Sequence, residues 1–276
     1  MVDGLALGAL PEIAASQRER LRLVALVHHP LALEGGLDEG RRRHLEASER
    51  AALAATRRVI ATSPATARAL AAYDVASARL RVVSPGCDPR RPAKGSGSAV
   101  LNLLCVATLT ARKGHRLLLE ALADLKDRAW RLNLVGGADH EPATAARVRA
   151  AIDELGLRER VTLSGAVPPA ALPACYDGAD LFVLASEHEG YGMALAEALA
   201  HGLPIVSTTA GAIPETVPAE AGLLVPLGDK AALRDALASV MDQPALRARL
   251  AAGARASRLP SWPEAAARFA AALEGL

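Results

Sequence analysis

The stretch that decides the fold is Leu181-Phe182-Val183-Leu184-Ala185-Ser186-Glu187-His188-Glu189-Gly190-Tyr191-Gly192-Met193-Ala194-Leu195-Ala196-Glu197-Ala198-Leu199-Ala200. Residues 181–185 are a short apolar run, the pattern of a buried strand, and the Ala, Leu and Glu that close the stretch favour a helix. Between them lies a glycine-bearing loop. At such a junction the first helical N–H groups lack internal partners and the helix dipole is positive, so an anion or a polyhydroxylated ligand can be held there. Two carboxylates mark the stretch: Glu189 just before the helix and, eight residues on, Glu197 two turns in. At ~1.5 Å per residue they lie roughly 10 Å apart along the axis, too far to share a proton and suited to two parts of one extended ligand.

Working outward, the same alternation of apolar strand and helix runs through the second part of the chain. Strands are expected at 100–107, 131–136, 160–164, 181–185, 204–207 and 222–225, and helices at 115–126, 143–155, 169–176, from 193, at 229–241 and at 244–255. This is the pattern of a complete doubly wound parallel-sheet domain. Residues 85–98 are rich in Pro, Gly and Ser without periodic apolar positions, which is the composition of a linker. Before it, strands at 21–27, 57–62 and 80–83 alternate with helices at 39–55 and from Ser63-Pro64, where Ser63 is the N-cap. That is half of a doubly wound domain, and Gly4 to Pro11 reads as loop. The organisation expected is a partial first domain at 1–84, the linker at 85–98, a second domain at 99–260, and a terminal helix at 261–276, capped by Ser261 and packing back toward the first domain.

The chain has 276 residues, 51% hydrophobic and 22% charged, which suits a soluble globular protein with a sizeable core. Aromatic residues are only 3%, so that core must be built from small aliphatic side chains. Neither a run of ~18 apolar residues nor a signal peptide is visible, and Cys87, Cys105 and Cys175 are scattered without metal-ligand spacing. A cytoplasmic protein with reduced thiols is expected. Net charge is +2, unevenly spread: residues 1–95 hold 15 Lys and Arg against 10 Asp and Glu, residues 96–276 hold 17 against 20. The excess, centred on Arg41-Arg42-Arg43 and Arg90-Arg91, reads either as a solvated helix face or as an attraction to an anionic acceptor or membrane surface.

Several loops follow strands at the edge where open α/β sheets bind ligands. In Ala107-Thr108-Leu109-Thr110-Ala111-Arg112-Lys113-Gly114-His115, two adjacent cations precede a glycine; Arg112 can make a forked contact and Lys113 a point-charge contact to a diphosphate. Val135-Gly136-Gly137-Ala138-Asp139 could let a ligand approach closely, although Gly-Gly after a strand is often only a turn. Thr209 to Glu215 brings a third glycine-bearing turn. His28 and His29 close the first strand, where a histidine can handle a proton or contact a hydroxyl, or simply pack a loop. Metal clusters, a nucleophile elbow, a Walker loop and a G-x-G-x-x-G opening are all missing, which argues against ATPases, serine hydrolases and dehydrogenases.

Taken together, Arg112-Lys113-Gly114, the Glu189 to Glu197 stretch, Gly211-Ala212-Ile213-Pro214-Glu215 and Gly222-Leu223-Leu224-Val225-Pro226 before Asp229 resemble, in order, the signature of the retaining glycosyltransferases of family 4, which have the GT-B fold. The resemblance covers the linker and the whole second domain and is less distinctive before residue 85. It implies an α/β, GT-B-like protein of two Rossmann-like doubly wound parallel-sheet domains, the first incomplete, and a nucleotide-diphosphate sugar held mainly by the second. It further implies that Arg112 and Lys113 contact the diphosphate, that Glu189 contacts the sugar hydroxyls, that backbone amides from Gly190 through Tyr191 and Gly192 to Met193 support sugar and phosphate, and that Glu197 binds the ribose. Gly136 belongs to the same donor-side set. His28 or His29 matches a cleft-lining histidine, so the catalytic candidates are His29, His28 and Glu189.

The resemblance also implies metal-independent transfer without a cofactor, protein cations and helix N-termini meeting the charge of the leaving diphosphate. The acceptor is unknown, a glycan, a lipid-linked sugar or a small molecule; peripheral association with an anionic membrane at its inner face is compatible, and no nucleic-acid partner is expected. Two departures stand out. Many members have Gly-Arg-Leu where this chain has Ala107-Thr108-Leu109, which leaves Arg112 to substitute for a phosphate-binding arginine, and the strand and glycine-rich loop that open the family's acceptor domain are missing, as in a shortened first domain. A sugar-nucleotide epimerase, and a degenerate protein that binds nucleotide sugar without transfer, are the competing readings.

Overall fold

The computed structural model describes residues 1–276. Along the chain the strands are β1 (Val2–Asp3), β2 (Val24–Val27), β3 (Arg58–Ala61), β4 (Leu80–Val82), β5 (Leu101–Val106), β6 (Trp130–Val135), β7 (Val161–Gly165), β8 (Leu181–Leu184), β9 (Ile205–Thr208) and β10 (Gly222–Val225). The helices are α1 (Gly4–Gly8), α2 (Pro11–Gln17), α3 (Glu39–Ala54), α4 (Pro64–Leu70), α5 (His115–Ala123), α6 (Pro142–Glu154), α7 (Leu172–Asp177), α8 (Met193–Ala200), α9 (Ile213–Thr216), α10 (Lys230–Asp242), α11 (Pro244–Ala256) and α12 (Trp262–Leu273). They divide into two compact units, one of residues 1–87, 189–191 and 260–276, the other of residues 88–188 and 192–259. The division falls between Cys87 and Asp88, inside a run, 84–96, that carries neither helix nor strand.

The first unit holds a four-stranded parallel sheet in the order β1-β2-β3-β4. Its strands are short and apolar, with Val24, Ala25, Val27, Val59, Ile60 and Ala61 buried, as expected where both faces are covered. One face packs with Leu7, Ala14, Leu53 and Leu70 from α1, α2, α3 and α4; on the other Val24, Ile60 and Val83 pack with Ala272, Phe269 and Leu273 of α12. Local signals set the helix starts. Ser63 accepts the Thr66 N–H ahead of Pro64 in α4, and Ser261 forms a reciprocal cap with Glu264 at α12.

Gly4 to Pro11 depart from the loop expected there. Val2 and Asp3 pair in parallel with Ala25 and Leu26, Asp3 caps α1, and Pro11 opens α2 as its first residue. Gly4 serves close packing, since a methyl group there would lie 2.9 Å from the Leu26 carbonyl oxygen.

The second unit is a six-stranded, all-parallel sheet in the order β10-β9-β8-β5-β6-β7. From β5 the chain winds outward through β6 and β7, then returns to the other side of β5 for β8, β9 and β10. The winding therefore reverses between β5 and β8, where Leu103 and Leu104 pair with Leu181 and Phe182. Strands β8 and β9 are buried along their whole length, and the core is mostly Leu, Val, Ile and Ala around the few large aromatics Trp130, Tyr176 and Phe182. No cysteine is in a disulfide, and no helix is long and apolar enough to cross a membrane.

Candidate functional site

In an open doubly wound sheet the carboxyl ends of the strands at the reversal point leave a crevice, because the loops on either side run to opposite faces. In the second unit those loops follow β5 and β8, and they carry Arg112-Lys113 and the residues leading to α8.

The loop after β5 is fixed at both ends. Leu109 is buried, and Ala111–Lys113 forms a single 3-10 turn whose Ala111 N–H donates to Glu141 Oε2 at 2.9 Å. Gly114 ends the turn with φ +65°, and a methyl group there would fall 1.9 Å from the Ala185 carbonyl oxygen, so only glycine lets the turn lie against the end of β8. The two loops are bonded directly: Glu187 N–H donates to the Arg112 carbonyl at 2.7 Å, and Arg112 Nη1 donates to the His188 carbonyl at 3.3 Å. The Arg112 guanidinium is thereby placed at the β8 side of the crevice. His115, the first residue of α5, is buried, and burial followed by the Lys113 charge pushes its imidazole down to about 4, so it is neutral near pH 7 and adds no positive charge beneath the two cations.

Gly136, after β6, packs against this loop. A methyl group on it would lie 1.9 Å from the Ala107 carbonyl oxygen, and its N–H donates to Gly165 O at 2.9 Å. Packing alone accounts for glycine at this position.

Helix α8 begins after Gly192, which adopts φ +90°, and no side chain caps its first turn. Glu197 is the fifth residue of α8, one turn in rather than two, because the helix starts four residues after Glu189. Its Oε2 accepts from the Tyr176 hydroxyl at 2.8 Å.

In the first unit, His28 and His29 follow β2. His28 Nε2 lies 3.1 Å from Asp3 Oδ2 and is half exposed, whereas the mostly buried His29 places Nε2 2.6 Å from Glu34 Oε1. Residues 189–191 belong to this unit. Glu189 is buried, and a methyl group on Gly190 would fall 2.1 Å from the His28 carbonyl oxygen. Thr66 Oγ1 lies within hydrogen-bonding distance of both the His28 carbonyl, 3.0 Å, and the Gly190 carbonyl, 3.2 Å. Burial raises the Tyr191 hydroxyl above its ordinary range, with a smaller push from Cys87.

The structure thus joins Arg112 to the loop leading to α8 in one unit, and His28 to Gly190 in the other. Sequence reasoning missed Tyr176, Glu141 and Glu34. Each is a partner distant from, or unremarkable beside, the residue it holds; the one available signal was that a tyrosine among apolar helix residues must find an acceptor when buried.

Known proteins share these features. The D-inositol 3-phosphate glycosyltransferase of Corynebacterium glutamicum is 32% identical over 216 residues, 71% of this chain and 52% of that protein. Mannosylfructose-phosphate synthase of Agrobacterium fabrum is 31% identical over 173 residues, 56% of this chain and 38% of that one. The chain spans about half the length of the curated relatives it matches. Among solved structures, sucrose-phosphate synthase from Thermosynechococcus elongatus aligns with TM-score 0.83 and 26% identity over 95% of this chain and 70% of that one. HepE of Anabaena, solved with UDP and glucose, aligns with TM-score 0.84 and 23% identity over 98% and 76%, a likeness of fold. The α/β class with two Rossmann-like parallel-sheet units is that of the GT-B glycosyltransferases. The profile described as Glycosyltransferase Family 4 matches residues 4–91. With residues 91–257 matching the profile Glycosyl transferases group 1, the chain belongs to that family.

Proposed function

We propose that this protein binds a nucleotide-diphosphate sugar on its second unit and transfers the sugar to an acceptor hydroxyl with retention of anomeric configuration. The observation that carries this reading is the meeting of the loops after β5 and β8 at the reversal of the sheet, which brings Arg112 and Lys113 to the edge from which α8 starts. Two adjacent cations suit a diphosphate, and the uncapped N–H groups of α8 add a positive pole at neutral cost in protons. Glu197 suits the two hydroxyls of a ribose, which a carboxylate accepts from readily. A uridine nucleotide is the first candidate, given that HepE holds UDP and glucose.

In this reading Arg112 and Lys113 neutralise the charge that builds on the diphosphate as it leaves, and no metal ion or cofactor is required. Glu189, with amides from Gly190 to Met193, binds the sugar. The acceptor hydroxyl attacks on the face from which the diphosphate departs, and His29 or His28 contacts the reacting hydroxyls. The basic excess before residue 96 fits an anionic acceptor or peripheral association with an anionic membrane.

The test is nucleotide release. Incubated separately with UDP-glucose, GDP-mannose and ADP-glucose, with and without EDTA, the protein is expected to release diphosphate nucleotide from one of them, EDTA making no difference, and the product anomer read by NMR is expected to match the donor. Failure to turn over or bind any of the three, or an inverted product, contradicts the proposal.

A further inference from the structure

Tyr176 is the second largest side chain among those fully buried, after Trp130, at 1% exposure, and its hydroxyl is its one polar atom. The ring is held on both sides. Phe182 of β8 stacks on it at a centroid distance of 5.9 Å and an interplanar angle of 18°, and His201, immediately after α8, stacks at 5.0 Å and 9°. A ring clamped in this way loses little rotational freedom when its hydroxyl engages a partner, so the hydroxyl is already ordered.

That hydroxyl lies 2.8 Å from Glu197 Oε2 and 3.2 Å from the Ala194 carbonyl. One hydroxyl proton serves one acceptor well, and the shorter contact goes to the carboxylate, the stronger acceptor. The Tyr176 hydroxyl holds the Glu197 carboxylate through Oε2. The imidazole of His201 is held below its ordinary range chiefly by burial and then by the Arg90 charge.

We propose that Tyr176 is a positioning residue: its hydroxyl fixes Glu197 through Oε2 and leaves Oε1 directed to a ribose hydroxyl of the nucleotide sugar. This rests on the donor-binding reading above. A glutamate ordered before the ligand arrives binds more tightly than one that must be ordered by it.

Calorimetric titration with UDP, GDP and ADP, each beside its 2′,3′-dideoxy analogue, tests the proposal in four proteins: wild type, Tyr176→Phe, Glu197→Ala and the double variant. Phenylalanine keeps the ring stack, so thermal melting is expected to shift little. Tyr176→Phe is expected to weaken the preferred nucleotide about 3- to 10-fold, the worth of one hydrogen bond, and to reduce discrimination against its dideoxy analogue by the same factor. In the Glu197→Ala background it is expected to change affinity less than about twofold. An unchanged ribose discrimination in Tyr176→Phe, or an equal loss with and without Glu197, overturns the positioning role while leaving the donor reading standing. Unaltered binding by Glu197→Ala, or no binding of any nucleotide to the wild type, overturns the donor reading and the positioning role with it.

Discussion

Glu49 shows how far one residue departs from what its sequence neighbourhood suggests. It lies on α3 amid charged residues, the context of an exposed helix former, yet it is 1% exposed and its Oε2 accepts the Leu31 N–H at 2.8 Å. Burial raises its carboxyl to about 7, the Leu31 hydrogen bond and the His29 charge opposing the rise. The unfolded chain ionises this group near 4.5, so between pH 4.5 and 7 the folded state holds the extra proton and stability falls as pH rises through that window. The full loss above pH 7 is about 3 kcal/mol. His115 acts with the opposite sign, its contribution being lost as pH falls from 6.5 toward about 4. Glu49→Gln keeps an acceptor for Leu31 and removes the titration. Its melting temperature is therefore expected to exceed that of the wild type at pH 8 and to differ less at pH 5; an identical pH dependence in both proteins contradicts the assignment. Arg112 and Lys113 stand out in the sequence by type and by place after a strand, and Glu197 by type and by its spacing from Glu189. Tyr176, Glu34 and Glu141 do not, because what matters in them is a contact that only packing creates.

At the scale of elements, capping residues announced helices well. Ser261 and Glu264 were visible as a serine and a glutamate three apart before an apolar run, and they form the reciprocal cap of α12. Ser261→Ala is expected to cost about 1 kcal/mol and lower the melting temperature accordingly, whereas removal of the exposed Arg43 side chain, with its single surface ion pair, is expected to cost under about 0.5 kcal/mol; equal losses would show that the cap contributes nothing beyond surface charge. Gly4 to Pro11 misled because local signals there point to a loop. Their glycines and proline have tertiary reasons: Gly4 admits the Leu26 carbonyl, and Pro11 stands at a helix start where its missing N–H is harmless. At α8 the helix expected from 193 does begin at Met193, directly after the left-handed Gly192.

Over the whole molecule, the strand and helix alternation of the second unit was readable because strands buried on both faces are continuous apolar runs, as in β8 and β9. The strand order was not, since neighbours in the sheet are set by crossovers rather than by any one segment. It is that order which places the loops after β5 and β8 side by side and turns two separate motifs into one candidate donor site. The central claim is that this site binds a nucleotide-diphosphate sugar through Arg112, Lys113 and Glu197. Calorimetric titration of the wild type with UDP-glucose, GDP-mannose and ADP-glucose tests it most directly, with Glu197→Ala and Arg112→Ala as controls. The account predicts binding of at least one donor by the wild type, weakened about 10- to 100-fold by either substitution, the range expected when a hydrogen bond to a charged group is lost; a wild type that binds none of the three, or variants that bind as tightly as the wild type, would contradict it.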